Sequence, residues 1–250
     1  MVKMECNFSY KHYFEVLKKA KKEYAIGPVR DFKKLKKNKK YIILRHDIDV
    51  SLDQAVKIAE KEASYKIFST YFILLHSPYY NAFDENSYEK ICKISDLGHE
   101  IGLHYDVSFL KKYSGSIINN IKDEADILSK ISNSKITSIA QHDPTYSPKL
   151  NEKVLIKFLD VKDKKLNQDL KYLSDSVQNW RSGCMCQHIG KVDKLQILTH
   201  PIWWSNENHK KEKILELFVN QNKKSLTKKI DNANKFYDKY LLESNTKKKN

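Results

Sequence analysis

The chain has 250 residues, 40% of them apolar and 11% aromatic, which excludes a disordered protein and suits one domain with a sizeable core. It holds no run of about 18 apolar residues, so no transmembrane helix is expected. Its net charge of +15 comes from 46 Lys+Arg against 31 Asp+Glu and rests almost wholly on lysine.

Arginine, which supplies bidentate phosphate and base contacts, occurs only at Arg30, Arg45 and Arg181, so no nucleic-acid partner is expected. The lysine runs Lys33 to Lys40 and Lys247 to Lys249 are expected to be solvated. The opening residues carry charge but no apolar signal-peptide core, and a cytoplasmic protein is the expectation.

Residues 41–45 form a short apolar run, as a buried strand requires. Ser51 offers an N-cap, and Leu52, Ala55, Val56, Ala59 and Ala63 follow at helical spacing. The β-branched and aromatic stretch 67–75 predicts a second strand. Tyr88, Ile91, Cys92 and Ser95 mark a helix that Gly98 is placed to stop. Residues 100–104 read as a third strand, and Ile118, Ile121, Ala125, Leu128 and Ile131 as one stripe of a helix. Strands are predicted at 136–141 and 195–199, with weaker signals at 158–161 and 172–174. Leu226, Ile230, Ala233, Tyr237 and Tyr240 then share one helical face. A single domain over residues 1–250 is expected, with its core at about 40–205 and a helical extension at about 206–243.

Alternating strands and helices predict an α/β fold with a parallel sheet, whose sites assemble at the carboxyl ends of the strands. There the sequence places its histidines and aspartates. The first strand runs into His46-Asp47-Ile48-Asp49, the third into His104-Tyr105-Asp106, the fourth into His142-Asp143-Pro144, and the late one into His200-Pro201. In extended backbone, residues i and i+2 point the same way, so Asp47 and Asp49 can enter one pocket. Two close carboxylates repel unless a cation lies beside them. Imidazole suits zinc and related divalent ions, which makes His104 a candidate ligand and His142 a ligand or a donor just behind one. His99 lies at the opposite end of its strand and reads as structural. His200 is followed by Trp203 and Trp204, indoles that serve equally as walls for a sugar ring or as core. Arg181 is the further candidate for substrate binding.

Cys6, Cys92, Cys184 and Cys186 are too few and too scattered for a disulfide framework. Cys184-Met185-Cys186-Gln187-His188 offers half of a zinc site, but no second paired cluster completes it. Reduced thiols are therefore expected.

Residues 40–205 resemble the polysaccharide deacetylases, carbohydrate esterases with a deformed, incomplete (β/α) barrel. Arg45-His46-Asp47-Ile48-Asp49 is similar to that family's aspartate motif, and Gly98-His99-Glu100-Ile101-Gly102-Leu103-His104 to the segment that introduces its first metal histidine. The resemblance implies Asp47 as catalytic base, Asp49 and His104 as metal ligands, and His200 as general acid, with Asp175 as a carboxylate able to support it. The family's second metal histidine would fall four residues after His104, at Ser108, and its arginine-proline motif is replaced by Gln141-His142-Asp143-Pro144. His142 is therefore expected to complete the metal shell, with Asp106 as the fallback. What the resemblance implies is a divalent metal, zinc by expectation, and hydrolysis of an N-acyl group on an amino sugar linked to a nucleotide, lipid or polymer. The sequence looks more like the family's divergent, signal-less branch associated with surface-glycan assembly than its secreted chitin or peptidoglycan enzymes. Hydrolysis of a non-sugar C–N bond and glycan binding without turnover are the alternatives.

Overall fold

The computed structural model describes residues 6–112, 115–143 and 158–247. Among the described residues eight strands form one sheet: β1 (Ala25–Gly27), β2 (Tyr41–Ile48), β3 (Thr70–Ile73), β4 (Glu100–Tyr105), β5 (Ser138–Gln141), β6 (Leu159–Asp160), β7 (Lys171–Ser174) and β8 (Lys194–Thr199). The helices are α1 (Tyr10–Lys21), α2 (Phe32–Leu35), α3 (Leu52–Ser64), α4 (Glu85–Asp96), α5 (Val107–Leu110), α6 (Ile117–Ser132), α7 (Lys164–Asn167) and α8 (Lys211–Lys247). The chain divides into two compact units, Met1–Asn208 and His209–Asn250. The second holds α8, whose Leu226, Ile230 and Phe236 are exposed. Among the described residues no helix is long and apolar enough to cross a membrane.

The strand order is β6-β5-β4-β3-β2-β8-β7, with every pair parallel and β1 laid beside the start of β2. β6 and β7 are the two ends of that path, so the sheet stays open as the predicted incomplete (β/α) barrel. Every residue of β2 is buried, as a central parallel strand requires. Ile42 and Leu44 face one side with α1, and Tyr41 and Ile43 face the other with Val29, Phe32 and Leu35. On the first side α3, α4 and α6 bury Ala55, Ile91, Ile94, Ala125 and Leu128 over β3 and β4.

The amino ends of the strands are closed by a polar plug. Glu100 accepts from Thr70 Oγ1 (2.6 Å), Ser138 Oγ (2.5 Å) and the Arg30 backbone N–H (2.9 Å), so no charged oxygen is stranded there.

Two local differences from the sequence reading have physical causes. β3 is shorter than 67–75 because Lys66, at φ 53°, turns the chain out of α3, and Ile67 still bonds back to Glu62. α1 was not predicted, although Tyr13, Val16, Leu17 and Ala20 lie on one buried face behind the Ser9 N-cap. Gly98 stops α4 as expected, adopting φ 94° just beyond Leu97.

Candidate active site

The pleat of β2 decides which residues enter the site. Arg45 and Asp47 point to the concave face and Asp49 follows them, whereas His46 points the other way and bonds Thr199 Oγ1 (2.7 Å) and Glu62 (3.2 Å). Asp47 Oδ2 accepts from Arg45 Nη2 at 2.6 Å. Arg45 lies over the Phe72 ring at 5.2 Å, and Phe72 can lie there only because β4 has glycine beneath it. A Cβ on Gly102 would meet Phe72 Cε1 at 2.4 Å.

His104 ends β4 with its Nδ1–H donating to the Ala140 carbonyl across the β4–β5 pair (2.9 Å). That bond fixes the tautomer and aims Nε2 at Asp49 Oδ1, 3.2 Å away, and at Asp47 Oδ2, 3.7 Å away. His142 leaves β5 where its N–H bonds the Tyr105 carbonyl, and Asp143 turns the chain at φ 39°. Its ring stands edge-on to His104, centroids 5.2 Å apart, with Nδ1 3.5 Å from Asp106 Oδ2. The other Asp106 oxygen caps α5 by accepting from the Ser108 and Phe109 N–H groups. Asp106 thus orients His142.

His200 follows β8. Its Nδ1 and Asp175 Oδ1 lie 2.7 Å apart, and its Nε2 is 3.7 Å from Asp49 Oδ2. Asp175 is fully buried and also accepts from Trp204 Nε1 (2.8 Å). Burial opposes charge on His200, yet Asp175, with Asp49 and Asp47 beyond it, pushes its pKa up to about 9. Burial also works to raise the Asp49 carboxyl, but His104, His200 and His142 hold it well below the carboxylate range. For His104 burial is outweighed by Asp47 and Asp49, and its pKa rises.

One ligand atom each from Asp49, His104 and His142 falls within a 4.8 Å span. In a tetrahedral zinc site with bonds of about 2.1 Å, neighbouring ligand atoms stand about 3.4 Å apart, close to the 3.2 Å between Asp49 Oδ1 and His104 Nε2. Asp49 Oδ1 and Asp47 Oδ1 are both buried without a hydrogen-bond donor. Buried carboxylate oxygens in that state call for a cation or an incoming proton, so the donor set fits a divalent metal.

The structure therefore gathers Asp47, Asp49, His104, His142 and His200. It corrects the reading of Trp204 as a candidate sugar wall: the indole is fully buried, and its N–H is spent on Asp175. Trp203 is half-buried against the same apolar cluster, and Arg181 is exposed in the loop after β7. Arg45 is the site residue that sequence reasoning missed. Its signal was available, since it stands two residues before Asp47 on the same face.

No family model and no curated protein matches this sequence. Solved structures that it resembles include family 4 carbohydrate esterases. They include a mutant of a CE4 family pseudoenzyme with restored enzymatic activity (TM-score 0.47, 15% identity, 75% of this chain and 64% of that one). A family 4 carbohydrate esterase from Bacillus anthracis gives a TM-score of 0.45 at 14% identity, covering 88% of this chain and 90% of that one. A family 4 acetyl xylan esterase from Clostridium thermocellum, in complex with a cobalt ion, gives 0.43 at 17% identity, covering 74% and 84%. This chain spans less than two thirds of the first of these, and its chemistry has to be read from its own side chains.

Proposed function

We propose that the chain is a metal-dependent hydrolase that removes an N-acyl group, acetyl in the first instance, from an amino sugar of a surface glycan. The observation that carries this reading is the meeting of Asp47, Asp49, His104, His142 and His200 at the carboxyl ends of β2, β4, β5 and β8, with two carboxylate oxygens lacking donors. Asp49, His104 and His142 would hold the ion, zinc by expectation. When bound, it would polarise the amide carbonyl and acidify a water.

The remaining chemistry belongs to the side chains. Arg45 occupies Asp47 Oδ2 and leaves Oδ1 open, so Asp47 is the base that takes the proton from the attacking water. His200 has its Nδ1 committed to Asp175 and its Nε2 turned to the site, so it gives a proton to the leaving amine nitrogen as the C–N bond breaks. A free amino sugar and a carboxylate result.

The test is carboxylate release from a short N-acetylated amino-sugar oligomer by the zinc-loaded full chain and by Asp47→Asn. Turnover in the parent that falls in the variant supports the reading. A parent that binds metal and oligomer yet releases nothing would overturn it in favour of glycan binding.

A further inference from the structure

A second set of metal-binding side chains lies on the α1 side of the sheet. Cys6 precedes α1 and His12 sits in its first turn, while Cys184 and Cys186 flank Met185 in the loop between β7 and β8. One ligand atom from each of the four lies within 4.8 Å of all the others. We propose that Cys6, His12, Cys184 and Cys186 form a structural zinc site that fastens the amino-terminal segment to the β7–β8 loop.

The donor set is Cys3His, which closes a tetrahedron without leaving a position for water, as structural zinc requires. With Zn–S bonds of about 2.3 Å the ligand atoms of such a site stand about 3.8 Å apart, so the group needs only a small contraction from its present span. His12 is buried at 3% exposure among these thiols. Its Nε2 faces Cys184 Sγ at 3.3 Å and its Nδ1 has no hydrogen-bond partner, so neither nitrogen meets an oxygen. A disulfide is the poorer use of the same atoms, since three sulfurs cannot all pair and the odd thiol would remain beside the buried imidazole.

Contacts of the fold itself position the two halves. Ser9 caps α1 by accepting from the His12 N–H, and the Tyr10 N–H bonds the Ser205 carbonyl, which pins this segment beside the end of β8. In the loop, a single 3-10 turn at Met185–Gln187 follows Cys184 and carries Cys186. His188 is not part of the group, because its Nε2 is taken by the Ser182 carbonyl at 2.7 Å. The sequence offered Cys184 and Cys186 as half of a site, and the fold supplies the other half from a separation of 172 residues between His12 and Cys184. Phe8, within the fastened segment, packs on Trp204 at 5.1 Å, and Trp204 in turn supports Asp175. The site thus braces the wall behind His200 without touching the reacting groups.

The full chain carrying Asp49→Asn removes any metal at the first site from the readout, so the outcome does not depend on the deacetylase reading. Purified in reductant, it should retain one zinc per chain, released in step with thiol modification by an organic mercurial. Its cobalt-substituted form should show thiolate-to-cobalt charge transfer in the near ultraviolet, which a carboxylate–imidazole site cannot give. Adding Cys186→Ser should abolish the zinc and lower Tm by about 10 °C, a shift of the size that losing a tight ligand produces in a chain of this length. If that variant fails to fold, the mercurial release and the cobalt spectrum of the unaltered thiols still decide. A cobalt form without the charge-transfer band would overturn the proposal. So would zinc that survives full thiol modification, or a disulfide between two of these cysteines in place of metal.

Discussion

Glu62, fully buried, and Asp49, half-buried with its Oδ1 closed off from solvent, are carboxylates flanked by histidines on opposite faces of β2, and they have opposite fates. Glu62 sits behind the sheet and accepts from Tyr13 Oη (2.6 Å), Ser69 Oγ (2.7 Å), Tyr71 Oη (3.0 Å) and faces His46 Nε2 (3.2 Å). Its oxygens are satisfied and its surroundings are fully closed. Asp49 has His104 at 3.2 Å and His200 at 3.7 Å, yet Oδ1 accepts no hydrogen bond. Burial alone does not mark a functional acid. What separates this pair is an oxygen that the protein has desolvated and left without a donor on Asp49 and not on Glu62.

The sharpest way to break this comparison is to neutralise one carboxylate on each face. Asp47→Asn keeps the shape of the concave site and removes its base, so turnover should fall about 10²–10⁴-fold with metal stoichiometry little changed. Asp49→Asn should instead lose the metal at that site. If the Asp47 variant lost the metal while the Asp49 variant kept both metal and activity, the two roles would be exchanged. On the other face Glu62→Gln leaves the His46 and tyrosine donors around a neutral amide, and breaking a buried charged network of this kind costs about 3–5 kcal/mol. Chemical denaturation should report that loss, while the folded fraction keeps its metal and its turnover per active chain. A Glu62 variant that unfolds no more readily than the parent would show that hydrogen-bond satisfaction is a poor guide to which acid is structural.

Much of the concave site was legible because apolar runs at 41–45, 100–104, 136–141 and 195–199 each end on a histidine or aspartate, and parallel strands bring such ends together. The i, i+2 rule then separates Asp47 and Asp49 from Ile48, and it also turns His46 away, which the clustering of His46 with Asp47 concealed. Two kinds of feature were not legible. Trp204 reads as a sugar wall until its burial against Asp175 is known, since an indole has the same composition in either place. Cys6 and His12 form no local motif, and only the docking of α1 beside the β7–β8 loop brings them to Cys184 and Cys186.

Acid should distinguish the faces further. Burial would raise the Glu62 carboxyl, but His46, His99 and Tyr13 outweigh it and bring it down to about 2 from an ordinary value of 4.5. A depressed carboxyl contributes stability that is complete above the unfolded value and is lost as pH falls through the folded one. The stability lost between about pH 4.5 and 2 should therefore be on the order of 3 kcal/mol larger in the parent than in Glu62→Gln. Parallel acid limbs in urea titrations of the two proteins would refute this.

The finest probe removes one donor and keeps the charge. Tyr71 packs its ring edge-on to His99 at 5.0 Å and its hydroxyl donates to Glu62 Oε2 at 3.0 Å. Phenylalanine preserves the ring, so packing on β3 is unchanged and only that bond is lost. A hydrogen bond to a charged group is worth about 1.5–3 kcal/mol, and the lower end applies because Ser69 Oγ still donates to the same oxygen at 2.7 Å. Tyr71→Phe should therefore lower Tm by a few degrees, about 2–4 °C for each kcal/mol in a chain of this size. It should also pull the acid limb to higher pH, because the carboxylate has lost a stabilising donor. A lower Tm with an unmoved acid limb would mean that Tyr71 acts through packing alone, and the stability of this face would then belong to its apolar neighbours more than to Glu62.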